Sequence, residues 1–401
     1  MRLQTSAFAG VATFLSILNA GSVLADIRTD IDGANNEGEQ HGDIDPPKGS
    51  IFTSLPVGSG GAEIAAYWSE EPNNSTAKRV FIMLHGKLRD GDTYWKTMHD
   101  ILEDAIDADY PGAGNDTIIV APQFFSKKYN SGQYTKHMLA WDDTNAWQAG
   151  DQAIHPSSTT ETSFDALDAF VDEFGDNDKY PALENITFVG HGGGAQLNQR
   201  YATVAKDTSA AAAHVRYIHG DPSSCAYFTR NRPQSMSSGE ELPSRDDCEF
   251  YNAWRYGFDN FNGTDDGLKT AYGYFHQYIS RDVVSIVGYQ DTSSNGDNFC
   301  MAMMQGGSKR RDRNLAWWQY INLLARTDED LSGFPATFGD LPDWSLDSGE
   351  MSVRLTVVED AAHDAREVFS SDEGRAALFA KEVPRGWRPK EQREGFIDSD
   401  G

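Results

Sequence analysis

Short, nearly unbroken apolar runs alternate along the chain with stretches whose apolar residues recur every three or four positions. Residues 80–84, 117–121, 186–189, 214–218, 283–287 and 353–358 are of the first kind and predict strands. Residues 97–106, 164–174, 195–205 and 315–324 are of the second kind and predict helices. In the 164–174 stretch Phe164, Leu167, Phe170, Val171 and Phe174 share one helical face. Strands alternating with helices imply an α/β domain: a mostly parallel sheet covered on both faces by helices. In such sheets chemistry gathers beyond the carboxyl ends of the strands.

The pattern weakens at both ends. Arg2 precedes a mostly apolar stretch over residues 7–23, and Val23-Leu24-Ala25 offers small residues for cleavage. Residues 1–25 therefore read as a secretory signal, and no other segment reads as transmembrane. Residues 26–50 are acidic and Gly/Pro-rich, a flexible lead-in. Residues 51–384 form one domain, and 385–401 a polar tail. Residues 222–269 are polar with scattered aromatics, an insertion after the sixth strand that is expected over the sheet edge or the site. The net charge of −27 opposes nucleic acid and anionic membranes as partners. Three cysteines, Cys225, Cys248 and Cys300, allow one pair and one free thiol; spacing does not choose among them. Sequons at Asn73, Asn74, Asn115, Asn185 and Asn262 are glycosylation sites if the chain is secreted.

The candidate chemistry lies where the 186–189 strand meets the 195–205 helix. Between them stands Gly190-His191-Gly192-Gly193-Gly194. This is the setting of a G-x-S-x-G nucleophile elbow, with both outer glycines in place and Gly192 where serine belongs. Glycine fits the strained turn but has no hydroxyl to attack a carbonyl. The other parts of a serine hydrolase follow in the expected order. Asp291, just past the 283–287 strand, is the candidate acid, with Asp297 as rival. His363, past the last strand, is the candidate base. The oxyanion hole would use the backbone N–H groups of Gly193 and of Lys87, in the His85-Gly86-Lys87 loop, with His85 supporting that loop. Ser223 or Ser224, or a water, could stand in for the missing nucleophile. A site without one retains ~10³–10⁴-fold acceleration over water in proteases. No phosphate loop, dinucleotide fingerprint or zinc motif is present, so no cofactor or metal is expected.

These pieces together resemble the secreted α/β-hydrolase-fold proteins of fungi and bacteria that carry a G-H-S-A-G-G-Q elbow. The resemblance runs over most of the mature chain. It rests on His85-Gly86 with Arg89, on Trp141 and Trp147, on Ser163-Phe164-Asp165, and on the elbow through Gln196 and Arg200-Tyr201. Asp221-Pro222-Ser223-Ser224, Tyr251 to Gly257, Arg281-Asp282-Val283, Asp291-Thr292, Cys300 with Gln305-Gly306, and Ala362-His363-Asp364-Ala365 continue it. It implies Asp291 and His363 as acid and base. It also implies a Cys248–Cys300 disulfide, with Cys225 where the family usually has an aromatic. The chain departs at Gly192 for serine, Gly193 for alanine and Ala195 for the last glycine. Two expectations follow: a silenced homologue that binds a small ester- or lipid-like ligand, or an active acyl hydrolase that uses water or a displaced serine.

Overall fold

The computed structural model describes residues 43–142, 146–208, 211–346 and 351–389. The expected signal peptide, most of the lead-in and most of the polar tail lie outside the described residues. The core is an eight-stranded sheet: β1 (Ser50–Val57), β2 (Ala62–Ser69), β3 (Arg79–Leu84), β4 (Thr117–Gln123), β5 (Asn185–His191), β6 (His214–Gly220), β7 (Asp282–Gly288) and β8 (Arg354–Val358). Their spatial order is β1-β2-β4-β3-β5-β6-β7-β8. From β4 to β8 all neighbours are parallel, whereas β1 and β2 form an antiparallel hairpin docked antiparallel on β4. That hairpin was not foreseen. Ser50, assigned to the lead-in, is already its first residue.

Period-two alternation distributes each central strand between two cores. In β3, Val80, Ile82 and Leu84 face one core and Phe81 and Met83 the other. The first core is covered by α2 (Ser163–Gly175), α3 (Gly193–Val204), α4 (Ala271–Ser280) and α5 (Arg310–Ala325), with Phe170, Tyr201, Phe275 and Trp317 fully or almost fully buried. The second is covered by α1 (Gly91–Asp107), α6 (Ala365–Ser370) and α7 (Asp372–Phe379), through Trp95, Ile101, Phe369 and Phe379. Helix α2 starts with a capping box: Thr162 accepts from the Asp165 N–H, and Asp165 accepts from the Thr162 N–H. Helices α4, α6 and α7 were not anticipated.

Residues 222–269 follow β6, as expected. They pack on the helical face, and Ser223 near their start lines the cleft of the candidate site. Phe228 rests on Phe258, Phe275 and Trp317, and Trp254 donates to the Ala149 carbonyl at 2.7 Å. Cys248 is disulfide-bonded to Cys300, in a helical turn (Cys300–Met303) after β7. Cys225 is buried as a free thiol. No helix among the described residues is long and apolar enough to cross a membrane.

Candidate active site

The elbow is built by close backbone approach. A Cβ on Gly190 would meet the Gly194 carbonyl oxygen at 2.4 Å, and one on Gly194 would meet the Leu84 carbonyl oxygen at 2.2 Å. Neither neighbour can move away, because both are main chain, so helix α3 can leave the sheet this tightly only with glycine at both positions. Between them Gly192 has φ +56° and ψ −111°, a region that costs a side-chain-bearing residue ~1–3 kcal/mol. Its N–H donates to the Gly220 carbonyl at 3.0 Å, which ties the turn to β6. A Cβ at this position would lie 3.1 Å from His363 Nε2 and 3.3 Å from Cε1. Position 192 therefore faces the imidazole directly.

His363 leaves β8 on a short loop that ends where Asp364 caps α6, accepting from the Arg366 and Glu367 N–H groups. Its Nδ1 bonds Asp291 Oδ2 at 2.8 Å. A carboxylate can only accept, so Nδ1 carries the proton and Nε2 offers a lone pair toward Gly192. Asp291 sits in the turn after β7 and is also held by Arg310 Nε, at 2.9 Å. Its side chain is 0% exposed, that of Arg310 3% and that of His363 30%. Burial alone would raise the Asp291 pKa. Hydrogen bonds from His363 and Arg310 outweigh it and hold the carboxyl below its ordinary value. His363 is also lowered, to about 4, first by desolvation and further by His191 and Arg310. The bond to Asp291 opposes this without offsetting it. The ring is therefore neutral around pH 7.

Beneath His363 lies a second histidine–carboxylate pair that the sequence did not single out. The ring of His191 is 4.4 Å from that of His363, tilted by 36°. Its Nε2 is 3.5 Å from Asp221 Oδ2, at the edge of hydrogen-bond reach. Asp221 accepts the Gly288 N–H at 3.0 Å and has φ +51°. His191, Asp221 and His363 bring potential ligand atoms within 4.8 Å of one another. Rings lying over one another at a shallow tilt direct their lone pairs side by side rather than to one centre, and His363 Nδ1 is committed to Asp291. The trio therefore fits a stacked support for His363 better than a metal centre.

On the opposite wall, the Lys87 backbone nitrogen lies 3.1 Å from where a Gly193 Cβ would stand, and Gln148 Nε2 lies 2.9 Å from it. The two N–H groups expected from sequence thus come from adjoining backbone, and Gln148 joins them. Gln148 is 3% exposed, and its side chain lines the cleft. His85 accepts the Phe124 N–H on Nε2 at 3.0 Å and bonds the Gly86 carbonyl through Nδ1 at 2.9 Å, clamping the Lys87 loop. The cleft between these walls has a volume of about 410 Å³. Asp297 borders it but is bonded to the Tyr256 hydroxyl at 2.7 Å, not to His363. Ser224 is turned to Gln196, at 2.8 Å. Ser223 reaches the cleft wall, and no hydrogen bond joins it to His363 among the described residues.

Arg310, Gln148 and the His191–Asp221 pair were thus missed in the sequence. His191, in the elbow, and Asp221, in Asp-Pro-Ser-Ser, each carried a signal there, but nothing in the sequence paired them. The sequence matches no family model and no curated protein. The structure is similar to LpqC, the poly(3-hydroxybutyrate) depolymerase of Bordetella parapertussis, with a TM-score of 0.53 and 17% identity over 84% of this chain and 92% of that one. It is equally similar to poly(aspartic acid) hydrolase-1 of Sphingomonas sp. KT-1, with a TM-score of 0.53 and 15% identity over 84% of this chain and 100% of that one. With its mostly parallel sheet and flanking helices, the chain has the α/β-hydrolase fold.

Proposed function

We propose that this chain is a secreted, silenced acyl hydrolase that binds a small ester-related ligand without turning it over. The observation that carries the reading is Gly192. It holds the backbone conformation of a nucleophile elbow, faces His363 Nε2, and has no atom that could attack a carbonyl. In this reading Asp291 and His363 are the retained acid and base, and Gly193 and Lys87 the retained oxyanion donors. Retention does not require turnover, because Asp291 also neutralises buried Arg310. The test is hydrolysis of short p-nitrophenyl esters by the natural protein, with His363→Ala as control. The expected result is no His363-dependent turnover. Ester hydrolysis that His363→Ala lowers by ~10²-fold or more, the usual scale for losing a general base, would overturn it.

A second reading rests on the free lone pair of His363. With Asp291 behind it, the ring could activate a water in the gap at Gly192, at the ~10³–10⁴-fold level expected without a serine. The same assay decides between the two.

A further inference from the structure

Gly192 leaves a gap whose two walls have opposite hydrogen-bonding character. On one side stands His363 Nε2, an acceptor with no partner among the described residues; a Cβ in the gap would be 3.1 Å from it. On the other stand donors: the Gly193 N–H at the start of α3, the Lys87 N–H in the loop after β3, and Nε2 of Gln148, whose side chain lines the cleft. An alkyl ester has no proton to give Nε2, and an alcohol has no carbonyl oxygen for the donors. A carboxylic acid has both, about as far apart as a serine oxygen and a substrate carbonyl oxygen would be.

Resting on the reading of a nucleophile-less hydrolase, we infer that the site is a receptor for free carboxylic acids. One carboxyl oxygen occupies the donor pocket of Gly193, Lys87 and Gln148. The other fills the space of the missing hydroxyl and shares its proton with His363 Nε2. No covalent bond joins the acid to the protein. A carboxylate from solution binds together with one proton, which rests between the carboxyl oxygen and the imidazole. A primary amide has the same shape and also donates, but it cannot pass a proton to the ring. It therefore forgoes the charge-assisted bond, which is about twice as strong as a neutral one. Of the groups about the ring, Asp291 favours that proton, whereas His191 and Arg310 oppose it, so the proton is shared with the carboxyl rather than taken by the ring. Asp291 backs Nδ1, with Arg310 sharing its charge, and the His191–Asp221 pair lies beneath. Lys87, Asp297, Asp364 and Arg366 stand at the cleft edge. Leu88 and Tyr94 give the acyl chain an apolar wall.

The experiment is calorimetric titration of the mature protein with hexanoate, hexanamide and methyl hexanoate, in two buffers of different ionisation enthalpy, at pH 6, 7 and 8. Simple carboxyls ionise near pH 4.3 and the free ring is neutral, so each hexanoate should take up one proton. Its affinity should fall about tenfold per pH unit. Hexanoate should bind at least tenfold more tightly at pH 6 than the amide or the ester. Gly192→Ser, which fills the gap and satisfies Nε2, should weaken hexanoate at least tenfold. Gln148→Leu, outside the strained turn, should weaken it severalfold. Absence of hexanoate binding at millimolar concentration, binding without proton uptake, or equal binding of amide and acid would each overturn the inference. The proposed function fails separately, on ester turnover by the natural protein. If the natural protein neither hydrolyses esters nor binds hexanoate, the silenced-hydrolase reading stands and the acid receptor falls.

Discussion

Replacing Asp291 by asparagine separates what the acid does for the fold from what it does for the site. Asp291 is 0% exposed and bonds two cations or potential cations, Arg310 Nε at 2.9 Å and His363 Nδ1 at 2.8 Å. Arg310 is itself 3% exposed, and its only other side-chain partner among the described residues is Asn295 Oδ1, at 2.8 Å. Removing the carboxylate charge leaves a buried guanidinium uncompensated, which costs ~3–5 kcal/mol. Asparagine keeps one acceptor oxygen, so the lower end, about 3 kcal/mol, is expected. At ~2.1 cal/mol/K per residue over the folded chain, that lowers Tm by roughly 4 °C. His363→Ala leaves the Asp291–Arg310 pair intact and removes a partly exposed ring, so it should cost about 1 kcal/mol or less. Urea unfolding of the natural protein and both variants measures the difference directly. If Asp291→Asn and His363→Ala cost the same, Arg310 does not depend on Asp291, and the account of why the acid is retained is wrong.

Other consequences can be checked in the same preparations. Gly194→Ala should abolish folding or cost more than ~3 kcal/mol, because its Cβ would meet the Leu84 carbonyl at 2.2 Å with no side chain to give way; a variant that unfolds like the natural protein contradicts the elbow geometry. His219 is fully buried, and desolvation lowers its pKa to about 3. An unfolded histidine takes a proton below about pH 6.5, whereas this one does not while folded. Stability should therefore fall as pH drops from 6.5 toward 3, by up to ~1.4 kcal/mol per unit, and His219→Gln should flatten that slope. The Cys225 thiol, pushed by burial up to about 12, should resist iodoacetamide at pH 8 in the folded protein and react once it is unfolded.

The parallel part of the fold was legible because strands buried on both faces read as unbroken apolar runs, and β3 to β8 were each placed within a few residues. The hairpin β1–β2 was not, because its outer strand β1 is half-exposed. Half-exposed Ile51, Phe52 and Thr53, with Pro56 following, give neither a run nor a clean alternation. Helices α6 and α7 were hidden by their brevity, 6 and 8 residues. In the site, Asp291, His363, Gly192 and the Lys87 loop followed from chain order, which the fold imposes. Gln148 and Arg310 did not, because their place depends on how a loop and the start of α5 fold back over the cleft. Asp297, the rival to Asp291 in the sequence, is bonded instead to the Tyr256 hydroxyl.

In the proposed function, every part of the hydrolase site but the nucleophile is preformed. Intact-mass analysis after treatment with a fluorophosphonate, on the natural protein and Gly192→Ser side by side, tests it most directly. The elbow already has the required φ and ψ, and the new Cβ needs His363 to yield by only a few tenths of an ångström. No adduct is expected on the natural protein, and a single adduct mapping to position 192 is expected on a Gly192→Ser protein that keeps its fold. A His363-dependent adduct on the natural protein, or a folded Gly192→Ser protein that stays unmodified, would contradict it.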